Sequence, residues 1–240
     1  MSLDKTAAIL VVGAGTWGSS TALHLARRGY SNVTVLDAYP VPSAISAGND
    51  IYHLGGTARG LSAAGAISTT GDFPGWKGYF MRSGAGWAHA RNALVAAARE
   101  AQRLGVRFVT GDPAGKVVTL IFEDNDVKGA VTADGKIWRA ERTILCAGAN
   151  SDQFIDFKQQ LRPTAWTIAH IALEEAERAL YKNLPVIFHI EKGFFFEPDD
   201  ERGEIKICDE HPGYTNMVRL PDGTLASRPF AKTQVPVDSE

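Results

Sequence analysis

Three glycines near the start of the chain are spaced so that a phosphate group could approach the backbone. The segment Gly13-Ala14-Gly15-Thr16-Trp17-Gly18 follows the apolar run 7–12 and precedes a helical pattern. In such a loop the first glycine permits a tight turn, the second allows the close approach, and the third lets helix and strand pack closely. The amides at the start of the helix then receive the negative charge.

A carboxylate follows the second predicted strand, residues 33–36. Asp37 lies 19 positions after Gly18, a spacing at which an acid reaches the ribose hydroxyls of an adenosine. The alternative is an ordinary glycine-rich loop, but that loop would not require a strand, a helix and an acid in this order. The pattern therefore predicts a dinucleotide site that includes Gly13, Gly15, Thr16, Trp17, Gly18 and Asp37.

The composition excludes several classes of partner. The 240 residues are 45% hydrophobic, which is enough for one large or two small domains, and the formal net charge of −2 comes without a basic run for nucleic acid. Cys146 and Cys208 have neither metal-ligand spacing nor the pattern of a disulfide framework. No apolar segment has the length of a membrane span, and the last three residues are not a peroxisomal address. We expect a cytoplasmic protein with a small-molecule substrate, no metal and no membrane partner.

Strands and helices alternate around the glycine motif. A second helix is predicted from Gly86 to Leu104, where Gly105 ends it before a strand over residues 106–109. Two meander strands, 116–122 and 127–132, then lead to a further strand.

That further strand, residues 143–149, is apolar and ends in Ala147-Gly148, where a ligand could approach the backbone. The long insertion between Asp37 and this strand favours a flavin-type α/β architecture over a simple nicotinamide domain. We assign residues 1–150 to this domain, with residues 51–71 as a loosely ordered connection of small residues.

From residue 151 the pattern changes to aromatic-rich strands, which predict an antiparallel sheet and a substrate domain over 151–240. In the strand 203–210, alternation places Ile205 and Ile207 on one face and Lys206, Cys208 and Glu210 on the other. A lysine and a carboxylate on one face could each contact a different part of a ligand. The alternative is the solvated face of a half-buried strand, and the residues alone leave both open.

Several segments closely resemble the fungal fructosyl amino acid oxidases, or amadoriases, which are flavoenzymes of the sarcosine oxidase type. The last matching segment contains Phe194-Phe195-Phe196-Glu197-Pro198 and Ile205-Lys206-Ile207-Cys208-Asp209-Glu210. The segments that carry the resemblance are 12–18, 21–30, 42–50, 72–80, 83–101 and 193–216.

The resemblance implies an FAD-binding Rossmann-like domain of the glutathione reductase and D-amino acid oxidase type. It also implies oxidation of the carbon–nitrogen bond of fructosyl amino acids, in which FAD supplies the redox chemistry and O₂ is reduced to H₂O₂. Lys206 matches a lysine associated with oxygen activation, where a fixed cation stabilises developing negative charge. Glu210 matches a substrate-binding carboxylate. The implied FAD contacts are Gly13, Gly15, Gly18, Asp37, Ser43, Ser46, Gly48, Ala147 and Gly148, with Val117 as a backbone contact to adenine.

The chain also departs from the family pattern. His53 stands where the family has a lysine, residues 51–71 replace a helical region, and the family's C-terminal part with its flavin-linking cysteine has no counterpart. We therefore expect a chain shortened internally and at its C-terminus, FAD held without a covalent link, and no competent oxidase activity from the 240 residues alone. The alternatives are a sarcosine or pipecolate oxidase-like enzyme and a non-catalytic FAD- or ligand-binding remnant. The oligomeric state stays open.

Overall fold

The computed structural model describes residues 3–47, 53–54, 79, 83, 87–182, 186–189, 193–199 and 201–229. The chain forms two compact units: unit 1 comprises Met1–His53 and His89–Leu161, and unit 2 comprises Leu54–Ala88 and Arg162–Glu240. The predicted connection 51–71 lies outside the described residues except for His53 and Leu54.

The first elements in chain order are β1 (Ile9–Val12), α1 (Thr16–Arg27), β2 (Val33–Asp37), β3 (His53–Leu54), β4 (Trp87–Ala88), α2 (Ala90–Arg103), β5 (Arg107–Thr110), β6 (Val117–Glu123), β7 (Asp126–Thr132), β8 (Ile137–Arg139) and β9 (Arg142–Leu145). They are followed by a 3₁₀ helix (Gly148–Gln153), β10 (Ala165–Ala172), α3 (Glu175–Tyr181), β11 (Ile187–His189), β12 (Phe194–Asp199), β13 (Glu204–Tyr214), β14 (Asn216–Arg219) and β15 (Leu225–Arg228).

A parallel sheet with the strand order β5-β2-β1-β9 is the centre of unit 1. Its central strand β1 is buried on both faces, as parallel strands usually are, whereas the outer strands β5 and β9 are partly exposed. On one face Ile9, Val11 and Val35 pack in a cluster with residues of α1 and α2. On the other face Leu10 and Val12 pack with the meander strands. This sheet confirms the predicted flavin-type α/β architecture.

Both helices of unit 1 end at the predicted glycines. Gly29 has φ +84 and donates its N–H to the Ala26 carbonyl at 2.9 Å, and Gly105 has φ +96 and donates to Gln102 at 2.9 Å. Such left-handed conformations favour glycine, so the ends of α1 and α2 were visible in the sequence. The predicted start of the second helix at Gly86 is wrong: Trp87 and Ala88 form β4, and α2 begins at Ala90 with His89 as its N-cap.

The meander has one strand that the sequence pattern did not predict. β6 and β7 match the predicted strands, and Gly135 forms the predicted turn with φ +81. The added strand β8 pairs with β7, where a Cβ on Gly129 would overlap the Trp138 carbonyl oxygen. With three residues, β8 is too short for alternation to identify it.

Unit 2 contains the antiparallel sheet that the sequence predicted, with the strand order β10-β13-β12-β11. Its strand β13 continues to Tyr214, beyond the predicted end at Glu210. The hairpin β14–β15 and the short helix α3 complete its described elements, and β3 pairs with β4. No helix in the described ranges combines the length and apolar character needed to span a bilayer.

Candidate functional site

The segment 13–18, called the glycine loop below, is shaped by backbone contacts that leave no room for a side chain at Gly13 or Gly18. Gly13 has φ +104 and donates its N–H to the Leu36 carbonyl at 2.7 Å. A Cβ on Gly13 would overlap the Cys146 carbonyl oxygen, and a Cβ on Gly18 would overlap the Gly13 carbonyl oxygen. The loop is therefore fixed at the carboxyl end of β1, between β2 and β9, where open α/β sheets bind ligands.

The start of α1 is free to receive an anion. Gly15 is the N-cap residue, without a side-chain cap, and the first turn contains no acidic residue. Thr16 and Trp17 follow, and the Trp17 side chain is 77% exposed. Because the first amides of a helix have no intrahelical partner and lie at the positive end of its dipole, this helix start and the glycine loop fit a pyrophosphate.

Asp37 has a contact that the sequence did not indicate. Its Oδ2 accepts the Ala14 N–H at 2.7 Å, and its Oδ1 accepts the Tyr39 N–H at 2.8 Å. The carboxylate thus ties the end of β2 to the glycine loop. Each oxygen keeps a further lone pair, so the predicted contact with a ribose hydroxyl stays compatible with this geometry.

Other predicted FAD contacts also lie around the glycine loop. The Ser46 N–H donates to the Ser43 carbonyl at 3.1 Å, and a Cβ on Gly15 would lie 3.1 Å from Ser46 Oγ. Ala147 is close on the other side, because a Cβ on Gly13 would lie 3.2 Å from its nitrogen.

Three further predicted contacts have different placements. Gly148 begins the 3₁₀ helix with φ +55 and has open space around it. Val117 is half-buried in β6 and packs against the second core cluster, so its predicted backbone contact to adenine stays a prediction. Gly48 lies outside the described residues.

Two features of this region were missed by the sequence analysis. Ser19 is fully buried and its hydroxyl donates to the Ala14 carbonyl at 2.9 Å. The Gly111 N–H donates to the Asp37 carbonyl at 2.9 Å, and a Cβ on Gly115 would overlap that same oxygen. The available signal was the pair of glycines around Asp112-Pro113 directly after a strand, which is typical of a tight turn.

Cys146 lies directly behind the glycine loop. Its N–H donates to the Val12 carbonyl at 2.7 Å, which continues the pairing of β9 with β1. Burial raises the pKa of the Cys146 thiol, and a hydrogen bond with Thr21 offsets a smaller part of that shift. The side chain is therefore a neutral thiol at physiological pH.

The second candidate region lies on β13 in unit 2. Lys206 is 0% exposed and Cys208 is also buried, whereas Ile207 is 38% exposed. The predicted alternation is confirmed, but the alternative of a solvated face is wrong: the lysine side faces inward. The Glu210 side chain lies outside the described part of the chain, so its substrate contact stays a prediction.

The buried side of β13 and its neighbours is called the Lys206 face below. His170 of β10 and Glu197 of β12 lie opposite Lys206 in the strand register, and Phe195 lies opposite Cys208. The Lys206 Nζ lies over the Phe195 ring, 5.2 Å from its centroid.

Carboxylates accompany the lysine on this face. Glu204 Oε1 lies 2.9 Å from His170 Nδ1 and 3.3 Å from Arg202 Nε. Asp199 is 1% exposed; its Oδ1 accepts the Arg202 N–H at 3.1 Å, whereas its Oδ2 has no hydrogen-bond partner among the described residues. Because burying charged groups is costly, a face with this many suggests binding or catalytic chemistry.

Comparison with known proteins gives concordant matches. The sequence profile of the FAD dependent oxidoreductase family, DAO, matches residues 8–58 and 46–236. The crystal structure of the deglycating enzyme fructosamine oxidase from Aspergillus fumigatus, Amadoriase II, matches with a TM-score of 0.89 and 60% identity, covering 98% of this chain and 68% of that chain. Amadoriase I from the same organism, a fructosyl amine:oxygen oxidoreductase, matches with a TM-score of 0.87 and 44% identity, covering 98% of this chain and 70% of that chain.

A curated relative is more distant. L-saccharopine oxidase from Schizosaccharomyces pombe is 26% identical over an alignment of 269 residues, which covers 79% of this chain and 62% of the relative. This chain therefore spans less than two thirds of the length of that relative.

Proposed function

This chain belongs to the FAD-dependent oxidoreductase family, and we propose that it is an amine oxidase that acts on fructosyl amino acids. It would oxidise the carbon–nitrogen bond between the sugar-derived carbon and the amino acid, with O₂ as the electron acceptor and H₂O₂ as a product. The observation that carries the proposal is the 60% identity to a fructosamine oxidase over 98% of this chain.

Bound FAD would supply the hydride-accepting and oxygen-reducing chemistry. The glycine loop and the first amides of α1 would bind its pyrophosphate, and Asp37 would accept a ribose hydroxyl while it holds Ala14. Ser43, Ser46, Gly48, Ala147 and Gly148 would complete the contacts of the FAD-binding domain, residues 1–150. Gly13 and Gly18 support this assignment, because a Cβ on either residue would overlap backbone atoms.

In this proposal residues 151–240 form the substrate domain. Lys206 would supply a fixed positive charge for the reduction of O₂, and its complete burial supports a role in which solvent does not screen that charge. Glu210 would bind the ammonium or hydroxyl groups of the substrate. The proposed location is the cytoplasm. Cys146 and Cys208 form no disulfide, which agrees with a reducing compartment.

The first test is FAD binding to the purified chain. We expect saturable quenching of flavin fluorescence during titration, and denaturation should release the flavin into the supernatant because the link is non-covalent. Binding of NADPH without any binding of FAD would contradict the cofactor assignment. Colour that stays with the precipitated protein would contradict the non-covalent link alone.

The second test is peroxide release in a peroxidase-coupled assay. Because the 240 residues alone are expected to lack oxidase activity, fructosyl-valine, sarcosine and saccharopine should be compared at equal concentrations on FAD-loaded protein extended to the full length of a fructosamine oxidase. Fructosyl-valine should give the highest kcat/KM, and the 240 residues alone should release no peroxide. A preference for sarcosine would favour the sarcosine oxidase-like alternative. FAD binding without peroxide from any of the three would favour the non-catalytic alternative.

A further inference from the structure

We propose that Phe195 is a positioning residue that holds the Lys206 ammonium in place through a cation–π contact. Its consequence for catalysis rests on the proposed function, in which Lys206 serves the reduction of O₂. The contact itself is independent of that function.

The distance and the burial of both partners support the contact. The Lys206 Nζ lies over the ring of Phe195 at 5.2 Å from the centroid, within the range of about 6 Å at which such contacts are attractive. Phe195 is 7% exposed and Lys206 is 0% exposed. Because water does not compete for the ammonium there, the attraction to the ring is near the strong end of its range.

The strand register explains why the two side chains meet. Phe195 of β12 lies opposite Cys208 of β13, two residues from Lys206, so Phe195 and Lys206 are diagonal neighbours on one face. Diagonal neighbours in an antiparallel pair are within reach when one side chain is aromatic and the other is long. The contact therefore depends on this register, and a shift of one residue would place Lys206 on the opposite face.

A neighbouring aromatic residue constrains the ring. Phe188 of β11 lies opposite Phe195, and the two rings meet edge to face, with centroids 6.3 Å apart and an interplanar angle of 65°. This arrangement is the favoured one for aromatic pairs, and it restricts rotation of the Phe195 ring. Phe188 is 44% exposed and belongs to an outer strand of the sheet, so it offers a matched control.

An aromatic ring and a carboxylate affect the Lys206 ammonium differently. A carboxylate would neutralise the ammonium, whereas the ring attracts it through a quadrupole and cancels none of its charge. The contact with the ring therefore helps to position the ammonium without removing any of its charge. This property suits a residue that stabilises negative charge during a reaction.

The first experiment is spectroscopic and needs no cofactor. In protein labelled with ¹³C at the lysine ε position, the Lys206 signal is identified by its loss in Lys206→Met. A ring above the ammonium should shift the ε protons upfield. Phe195→Leu should remove this shift, whereas Phe188→Leu, which removes only the edge contact of the Phe195 ring, should retain most of it. An unchanged Lys206 signal in a folded Phe195→Leu variant would overturn the proposal.

A second variant separates the charge effect from packing, in case Phe195→Leu does not fold. Fluorinated phenylalanine at position 195 keeps the shape of the ring while successive fluorines weaken its quadrupole. In FAD-loaded protein extended to the full length of a fructosamine oxidase, flavin reoxidation by O₂ should slow progressively, by about ten-fold for the most fluorinated ring, while flavin reduction by fructosyl-valine stays constant.

The two measurements separate failure of the inference from failure of the proposed function. Loss of the upfield shift with unchanged reoxidation would keep Phe195 as a positioning residue and contradict the role of Lys206 with O₂. Retention of the shift in Phe195→Leu would contradict the cation–π contact, whatever the peroxide assay shows. Equal slowing of both half-reactions in the fluorinated series would also contradict it, because a general packing defect affects both.

Discussion

The glycine loop in unit 1 and the Lys206 face in unit 2 differ in the feature that would let each of them bind a ligand. The glycine loop uses the absence of side chains: its shape is fixed by carbonyl oxygens that a Cβ on Gly13 or Gly18 would overlap. The Lys206 face uses side chains that are expensive to bury, among them Lys206, Asp199 and Glu204. We therefore expect substitutions in the first region to act through geometry and substitutions in the second to act through charge.

The largest expected effect tests the geometry of the glycine loop. In Gly18→Ala, the new methyl group would overlap the Gly13 carbonyl, and neither backbone can move without breaking the pairing around β1. We expect FAD affinity to fall by at least about 100-fold and the free energy of unfolding to fall by about 2–3 kcal/mol. Fluorescence titration and denaturant unfolding measure the two effects.

Gly29→Ala is the matched control for this prediction. Gly29 has φ +84 but no atom within 4 Å of a Cβ, so its substitution costs only the strain of the left-handed backbone, about 1 kcal/mol. FAD affinity should stay at the parental value. Equal losses of affinity in both variants would show that general destabilisation, rather than the shape of the loop, controls binding.

The next effect tests charge on the Lys206 face. Lys206→Met keeps a long unbranched side chain at a fully buried position and removes the cation. In flavin-loaded protein extended to the full length of a fructosamine oxidase, we expect reoxidation by O₂ to slow by about 100-fold, with little change in flavin reduction by substrate. Stopped-flow absorbance resolves the two half-reactions.

Glu210→Gln provides the opposite pattern, because Glu210 is proposed to bind substrate. It should weaken the reductive half-reaction and leave reoxidation nearly constant. If both half-reactions were unchanged in Lys206→Met, the lysine would have a structural role only.

A smaller effect concerns unit 1 and tests the contact of the Asp37 carboxylate with the glycine loop. Asp37→Ala removes the acceptors for the Ala14 and Tyr39 amides, which are 2.7 and 2.8 Å from the carboxylate oxygens. We expect about ten-fold weaker FAD binding and a loss of about 1–3 kcal/mol in the free energy of unfolding. Asp37→Asn keeps one acceptor oxygen and should lie between the parent and Asp37→Ala.

Asp4→Ala is the control for Asp37→Ala, because Asp4 accepts the Thr6 N–H at 2.7 Å in an exposed turn. It should change FAD affinity by less than about two-fold, since exposed contacts contribute little. A comparable loss of affinity in Asp4→Ala would remove the special role of the Asp37 contact.

The smallest effect concerns Cys146 behind the glycine loop. Since burial raises the pKa of its thiol, iodoacetamide should react slowly at pH 7–8, and the rate should rise only above the pH at which an exposed thiol ionises. The Cys208→Ala background isolates this thiol, and mass spectrometry measures alkylation. Because the pKa of Cys146 is raised, the protonated thiol stabilises the folded state. This contribution to the free energy of unfolding is complete below the pKa of the thiol in the unfolded chain, and it declines as pH rises through the pKa in the folded chain. Fast alkylation at pH 7 would contradict the assignment.

The sequence by itself determined the β1–glycine loop–α1–β2 unit. Each signal there is local: the glycines, the apolar strands and the turn at Gly29 all act within neighbouring residues. A glycine that cannot be replaced and a helix that ends in a left-handed residue depend on backbone sterics, and these are encoded by residue type alone. The same reasoning explains why α2 ends as predicted at Gly105.

Only the tertiary structure decided which side of β13 is buried. Alternation showed that Lys206 and Cys208 share a face, but either face of a half-buried strand can point inward. The packing of the sheet settles it, because Lys206 and Cys208 are buried whereas Ile207 is exposed. The pairing of β13 with β10 also joins residues as distant as His170 and Glu204, 34 positions apart. Likewise the Asp37 contact with Ala14 spans 23 positions and depends on how β1 and β2 align. Such contacts follow from the register between strands, which local residue types do not specify.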